Sequence, residues 1–165
     1  MADLTEAMGI TKPSLYACFG NKEELFRKAL DLYERDKLAY LRTALNESTA
    51  KTVAQRLLCG AVTAHCGGDD PQGCLGVMSV VTCSVAAESV RQHVVDIQTT
   101  FENGVMGRFE QAMADGDLPA DADPRALASC LTTFIQGLSV KAQGGASREQ
   151  LQAMANAFLA IWPGR

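Results

Sequence analysis

The sequence predicts an all-α protein that begins with a short helix-turn-helix segment and continues as a larger helical part. No stretch of six residues alternates apolar and polar side chains as a half-buried strand would, and apolar residues instead recur three and four positions apart. Glycines, prolines and capping residues divide these patterns into successive helices. We place the boundary between the two parts after residue 45, so that they span residues 1–45 and 46–165.

Two short helices open the chain. The first is predicted over residues 3–8 and ends at Gly9, because glycine readily takes the positive φ of a tight helix stop. The second is predicted over residues 11–19. Thr11 is its N-cap and Pro13 lies in its first turn, where a missing N–H is tolerated.

Longer helices follow, each indicated by a cap or by its apolar spacing. Asn21 and Glu24 form a capping-box pattern, and the helix that they open is predicted to run to about residue 45. Further helices are predicted over residues 52–66, 74–87 and 89–114, after the Asp123–Pro124 start, and after the capping box at Ser147–Gln150. Residues 74–87 are almost wholly apolar, which favours a buried central helix.

The composition is that of an ordinary globular protein. Of 165 residues, 47% are hydrophobic and 21% charged, which is enough to fill a core. No run of 18 apolar residues is present, so no membrane span is expected. The start of the chain is acidic and lacks the apolar segment of a secretion signal, so we expect a cytoplasmic protein.

Cysteines are frequent but do not form a disulfide or metal-binding pattern. The six are Cys18, Cys59, Cys66, Cys74, Cys83 and Cys130, with no Cys-x-x-Cys among them. In a reducing compartment we interpret them as small buried hydrophobic residues. The alternative is a thiol-based redox regulator in which Cys66 and Cys74, on either side of a Gly-Gly-Asp-Asp-Pro loop, approach each other.

The second short helix carries the residues with a recognisable function. In a helix-turn-helix, this helix enters the major groove of DNA with its N-terminal residues leading. Thr11, Lys12 and Ser14 supply the small polar and basic groups that can reach base edges and phosphates, while Leu15 and Phe19 anchor the inner face. The net charge of −4 does not contradict this, because a DNA reader needs polar groups on one surface only.

This segment closely resembles the TetR family of regulators. The resemblance rests on the glycine turn at residue 9, KPSLY at residues 12–16, the aromatic residue at 19 and GNKEELF at residues 20–26. It covers about the first fifth of the chain closely, and the later helices only in number, length and order. The resemblance implies an all-helical homodimer, a palindromic double-stranded operator and a small-molecule cavity that controls DNA release, with repression favoured over activation. Residues 46–165 would then be the ligand-binding and dimerisation domain.

The resemblance also assigns residues to DNA contact. The positions are Thr11, Lys12, Pro13, Ser14, Tyr16, Cys18 and Lys22. For Tyr16 the alternative to a phosphate contact is packing against the preceding helix. Cys18 stands where the family often has histidine or tyrosine, so one backbone contact is in doubt. The family's first helix has no counterpart in this sequence, so the helix-turn-helix is expected to be incomplete and to bind DNA more weakly than a chain with that helix restored.

Larger apolar or soft side chains of the second part are candidates for lining a ligand cavity. They are Leu58, Val62, Cys66, Met78, Thr82, Phe101, Val105, Phe109 and Phe134. The alternative for each is that it simply fills the core. A mostly apolar cavity would suit an uncharged or amphipathic organic molecule.

The last two helices are the candidates for dimerisation, because their apolar residues repeat at the spacing of packed helices. The predicted interface residues are Leu127, Leu131, Phe134, Leu138, Leu151, Met154, Phe158 and Trp162. Two such helices can pair with their symmetry copies as a four-helix bundle, or pack only within one chain.

An enzyme is the competing class of function, and the sequence gives it little support. The two histidines, His65 and His93, have no metal-site spacing, and no glycine-rich phosphate loop is present. We therefore predict no catalytic residue, no metal and no cofactor.

Overall fold

The computed structural model describes residues 1–66, 71–82 and 88–164, with the backbone alone for Val81 and Thr82. Within these ranges every regular element is an α-helix, so the predicted all-α fold is confirmed. The helices are α1 (Ala2–Met8), α2 (Lys12–Phe19), α3 (Lys22–Asp36), α4 (Ala39–Ala44), α5 (Ala50–His65), α6 (Leu75–Thr82), α7 (Glu88–Ala114), α8 (Pro124–Gln143) and α9 (Arg148–Ala160).

The helix starts and stops of the N-terminal part lie where local chemistry predicts them. Gly9 adopts a left-handed conformation with φ of 62° and ends α1. Thr11 caps α2, and Asn21 forms a reciprocal capping box with Glu24 at the start of α3. Leu15 of α2 is fully buried, which fixes α2 against its neighbours and leaves its other face in solvent.

The prediction of one continuous helix over 21–45 is wrong. α3 ends at Asp36, and a separate helix, α4, begins at Ala39 and packs against α5. No proline or glycine marks this break. It allows the Tyr40 ring to lie directly on Gly60 of α5, where a Cβ atom would come within 2.1 Å of the ring.

The core of the larger part is built around α5. This helix is buried along one side and packs against α4, α8 and α9. The capping boxes at Thr49 and Ser147 and the cap at Asp123 define where α5, α9 and α8 begin. Aromatic side chains contribute to this core, and the ring centroids of Phe158 and Trp162 lie 5.9 Å apart.

The apolar segment predicted as a helix over 74–87 is helical from Leu75 to Thr82. The rest of that prediction, residues 83–87, lies outside the described residues, as does Cys83.

Candidate functional site

The N-terminal half of α2 presents hydroxyl and basic groups to solvent. The Thr11 hydroxyl accepts a hydrogen bond from the backbone N–H of Ser14 at 3.3 Å, and the two hydroxyl groups are 3.0 Å apart. Lys12 and Pro13 complete this exposed first turn. The capping interaction holds the two hydroxyl groups side by side, so their positions are set before any partner binds.

Every residue assigned to DNA contact by sequence is exposed. These are Thr11, Lys12, Pro13, Ser14, Tyr16, Cys18 and Lys22. Tyr16 is 43% exposed, although its neighbour Leu15 is fully buried. The Tyr16 side chain is therefore accessible to a phosphate and is not enclosed by the preceding helix.

Two lysines give this surface its positive charge. Lys12 lies in the first turn of α2 and Lys22 in the first turn of α3. In the described part of the chain neither lysine forms an ion pair. Their charges are thus not neutralised locally and remain available to an anion, which a helix N-terminus also favours.

Polar contacts join α3 to the start of α7. Arg27 donates a hydrogen bond of 3.0 Å to the backbone carbonyl of Ser89, and the Ser89 hydroxyl donates to the Glu23 carboxylate. The Ser89 hydroxyl and the Arg27 guanidinium hold the pKa of Glu23 below its ordinary value. One turn later, Asp31 lies 3.4 Å from Nε2 of His93. α3, which also packs against α2, is therefore in contact with both the helix-turn-helix and the larger part.

A largely apolar cavity lies against this same helix. It contains about 700 Å³ of empty space, including the part open to solvent, and α3, α4, α6, α7 and α8 all contribute to its wall. Leu30 and Tyr33 come from α3, Tyr40 from α4, Ile97 from α7 and Ile135 from α8. Burial in this wall raises the pKa of the Tyr40 hydroxyl far above its ordinary value.

The sequence comparisons decide the family. Residues 1–29 match the model "Bacterial regulatory proteins, tetR family", and residues 56–158 match the model "Tetracyclin repressor-like, C-terminal domain". The chain belongs to the TetR family. As a TetR-family protein it is a transcriptional regulator, and the predicted resemblance is confirmed.

Relatives of this TetR-family chain align along nearly its full length. It is 35% identical to the HTH-type transcriptional repressor ComR of Escherichia coli (strain K12), over 99% of this chain and 79% of ComR. Its fold matches a cysteine mutant of the TetR family regulator CifR, complexed with 26bp double-strand operator DNA. That match has a TM-score of 0.92 and 38% identity, and it covers 99% of this chain and 86% of that one. A putative TetR regulator from Rhodococcus sp. RHA1 matches with a TM-score of 0.73 and 37% identity, over 99% and 88% of the two chains.

Most of the residues that the sequence suggested for a ligand cavity do not line the cavity of this TetR-family chain. Phe101 does line it, and Met78 lines an adjoining cleft. The expected contributions of Leu58, Val62, Val105 and Phe109 need correction, since these side chains are at most 1% exposed and fill the core. Cys66 and Phe134 are half-buried and pack against that core, and the Thr82 side chain lies outside the described residues.

The predicted dimer-interface residues differ in how deeply they lie in the single chain. Half of them are buried in its core and leave little surface for a partner; they are Leu131, Leu138, Leu151 and Trp162. The other half are partly buried against the same core; they are Leu127, Phe134, Met154 and Phe158. Phe134 and Phe158 stack on each other within the chain, with ring centroids 4.4 Å apart.

Two further features bear on the alternative functions. Cys66 is half-buried and Cys74 buried, so a thiol switch that joins them stays a prediction. No group of three metal-ligating side chains occurs among the described residues, and no helix among them is long and apolar enough to cross a membrane.

Sequence reasoning missed one polar group, His65. It is buried at the end of α5, lines the cavity, and its Nδ1 atom has no hydrogen-bond partner in the described structure. The sequence signal was a histidine on the apolar face of a helix, at the spacing of Leu58, Ala61 and Val62.

Proposed function

We propose that this chain is a ligand-responsive repressor that binds a palindromic operator in double-stranded DNA as a homodimer in the cytoplasm. The observation that carries the proposal is the exposed first turn of α2, with its paired hydroxyl groups and unneutralised lysine. ComR and BdcR of Escherichia coli are described as repressors, and CifR was solved on operator DNA. The protein acts by binding, without catalysis.

α2 is the reading helix. Its N-terminal residues enter the major groove, where Thr11, Ser14 and Lys12 reach base edges and phosphates. Tyr16 and Lys22 contact the phosphate backbone, and the N-terminus of α3 adds to the attraction at Lys22. Two protomers place their α2 helices one DNA turn apart, at about 34 to 36 Å.

α3 transmits ligand binding to α2. Leu30 of the cavity wall and Lys22 are eight residues apart, which is about 12 Å along a helix. A tilt of α3 by about 10° at the cavity would thus displace Lys22 by about 2 Å. The ligand releases DNA only if it binds the displaced state more tightly than the DNA-bound state.

The dimer forms through the outward face of α8. Five exposed positions on it repeat at intervals of four, three, four and three; they are Ala126, Cys130, Thr133, Gly137 and Val140. These side chains are small, so a second α8 could approach closely, and Val140 is 51% exposed despite being apolar. Ile161, beyond α9, is 80% exposed and extends the same kind of surface.

The test starts by selecting bound sequences from a pool of duplex DNA with the wild-type protein. Lys12→Ala with Ser14→Ala should then weaken binding to the selected operator at least about tenfold, because base contacts are lost. Lys22→Ala should weaken binding to all duplexes alike and lower the salt dependence of binding, because it contacts phosphate.

Lys51→Ala is the matched control for both, since Lys51 lies on α5 in the larger part and should leave operator binding unchanged. Failure of the wild-type protein to enrich any duplex sequence would refute the proposal. So would an α2 variant that binds as tightly as the Lys51 control.

A further inference from the structure

Tyr40 contributes a phenol hydroxyl to the largely apolar cavity described above. The backbone carbonyl of Tyr40 accepts a hydrogen bond from Thr43, but the phenol hydroxyl has no hydrogen-bond partner among the described residues. Polar atoms that are shielded from bulk solvent usually have a partner in the protein or in an ordered water. A hydroxyl without a protein partner in the wall of a cavity is therefore available to a ligand.

The Tyr40 hydroxyl can be reached from the cavity. The described side-chain atoms that are fully enclosed and lack a partner belong to His65, Arg108 and Trp162, and the Tyr40 oxygen is not among them, so it keeps accessible surface. Tyr40 lines this cavity but neither of the two clefts beside it, so that surface faces the cavity. Burial nevertheless raises the pKa of the Tyr40 hydroxyl far above its ordinary value, which means that bulk water reaches it poorly.

Packing fixes the ring that carries this hydroxyl. A Cβ atom at Gly60 would lie 2.1 Å from Cδ2 of Tyr40 and 2.6 Å from both Cγ and Cε2, so one edge of the ring rests on α5. The ring cannot turn away without a loss of packing, and its hydroxyl is therefore in position before a ligand enters. The lone pair of a phenol oxygen is delocalised into the ring, so the group donates a hydrogen bond more strongly than it accepts one.

The other uncharged polar groups of the wall add no preference for a charged ligand. The Thr132 hydroxyl is already engaged, because it donates to the Glu102 carboxylate at 2.8 Å. Gln98 and Gln136 also line the cavity, and their amide groups can both donate and accept.

The charges around the cavity favour an uncharged ligand. No lysine or arginine is among the described residues that line it, so an anionic ligand would meet no counter-charge. Glu34 lies where the cavity adjoins a second cleft, which also contains Arg42 and His93, and both of these residues interact favourably with its negative charge. Glu34 therefore does not require a cation from the ligand.

We infer that the cavity binds an uncharged, mostly apolar molecule with a carbonyl group, which accepts a hydrogen bond from the Tyr40 hydroxyl. This inference rests on the proposed ligand response and specifies the class of ligand. Tyr40 is then the residue that separates carbonyl compounds from hydrocarbons of the same shape. A hydrocarbon would displace any water from the hydroxyl and leave it without a partner, so it binds more weakly than the carbonyl compound.

The experiment compares two probes of nearly the same shape, acetophenone and isopropenylbenzene, in which a methylene group replaces the carbonyl oxygen. Titration calorimetry measures both affinities for the wild-type protein and for Tyr40→Phe, which removes the hydroxyl and keeps the ring. The ratio of the two affinities isolates the hydrogen bond, because the apolar contacts of the probes are alike. Tyr40→Phe should shift this ratio about fivefold against acetophenone, the size of one neutral hydrogen bond.

The infrared carbonyl stretch of bound acetophenone is a second readout. In the wild-type complex it should lie at lower frequency than in hexane, where no hydrogen bond forms, and most of this shift should be lost in Tyr40→Phe. A bound carbonyl with the frequency found in hexane overturns the inference, and this measurement on the wild-type protein decides alone if Tyr40→Phe does not fold.

Thr43→Val is the matched control, because Thr43 is an exposed residue of the same helix and does not line the cavity. It also removes a hydroxyl group and should leave the ratio unchanged. An unchanged ratio in Tyr40→Phe overturns the inference, as does failure of acetophenone to bind the wild-type protein. Thermal unfolding checks that each variant is folded.

Operator binding is measured separately and without probes. A wild-type protein that binds operator while Tyr40→Phe leaves the ratio unchanged refutes only this inference. A protein that shows the expected ratio but enriches no DNA sequence refutes only the proposed DNA recognition.

Discussion

Gly60 has no Cβ atom, and this allows the Tyr40 ring to take its place in the cavity wall. The Tyr40 ring lies so close to Gly60 that a Cβ atom there would be 2.1 Å from Cδ2 of the ring. Tyr40 in turn lines the cavity. Tyr40 of α4 and Gly60 of α5 are both partly buried and in close contact, so neither can move without a change in packing.

Gly60→Ala should therefore displace Tyr40 and destabilise the fold by about 1 to 3 kcal/mol, the usual cost of overpacking a core. Urea unfolding measures this cost. Gly107→Ala is the control, because a Cβ atom at Gly107 in α7 meets nothing within 4 Å. That control should stabilise the helix slightly, since alanine is the better helix former. Equal stability of the two variants would show that Tyr40 is not held by Gly60.

Local chemistry was enough to predict individual caps but not individual cavity residues. Thr11, Asn21 and Ser147 act on atoms within three residues of themselves, so their patterns are legible in the sequence. The surroundings of His65 depend on residues as distant as Leu30 and Gln136, which no local pattern brings together. Its role as an unsatisfied group became visible only in the folded chain.

The attachment of α3 to α7 is the connection between the DNA-reading part and the cavity. Leu30 of α3 and Val94 of α7 are buried beside the same cavity. The polar part of the attachment consists chiefly of the contacts of Arg27 and Glu23 with Ser89. Contacts of this kind are partly exposed and individually weak. They can therefore yield when the ligand favours another position of α3.

Arg27→Ala should loosen α3 without changing its intrinsic helix propensity. We expect amide hydrogen exchange in Lys22–Asp36 to become about fivefold faster, the effect of one lost hydrogen bond, with α8 and α9 unchanged. Arg35→Ala is the control, because Arg35 lies on the same helix but pairs with the adjacent Asp36. Equal exchange in the two variants would mean that the contact with Ser89 does not restrain α3.

Helical spacing predicted the amphipathic character of α8, but half of the stripe that it assigned to the partner is buried within the single chain. The sequence suggested the stripe through Leu127 and Leu131, while the structure buries Leu131 within the chain. The neighbouring stripe, one residue earlier, is exposed and consists of small side chains. The periodicity shows that α8 has two distinct faces, but which of them is buried depends on how the helices pack together.

The break between α3 and α4 was missed for a related reason. Asp36, Lys37 and Leu38 have no helix-breaking signal, and tertiary packing of Tyr40 on α5 outweighs local propensity there.

The assembly of two chains is the level at which the operator is recognised. Val140→Asp places a carboxylate in the proposed contact face of α8, where burial of an unpaired charge is costly. We expect a dimer of the wild-type protein to become a monomer of 17.6 kDa, measured by light scattering during size-exclusion chromatography.

Operator affinity should fall when dimerisation is lost, because the second half-site is no longer bound by a linked protomer. Thr99→Asp, an exposed position on α7, introduces the same charge and should leave the dimer intact. A Val140→Asp protein that stays dimeric would place the interface elsewhere.

Fold class and helix order were predictable because they follow from patterns that repeat over many residues. Neither the absence of strands among the described residues nor the caps of α5, α8 and α9 required knowledge of the packing. The cavity could not be located in this way, because it lies where α3 and α4 meet α6, α7 and α8. Which side chains fill the core and which leave a gap is a property of the assembled helices.

The residue proposed to contact DNA and the cavity residues occupy separate turns of α3, which bears on how such a protein can evolve. Lys22, proposed to contact DNA, lies in the first turn of α3, while Leu30 and Tyr33, two to three turns later, line the cavity. Substitutions at the latter two positions can alter the chemical signal without touching the operator. After a gene duplication, the two copies could thus acquire different effectors while they still control the same promoters, with little conflict between the two selective pressures.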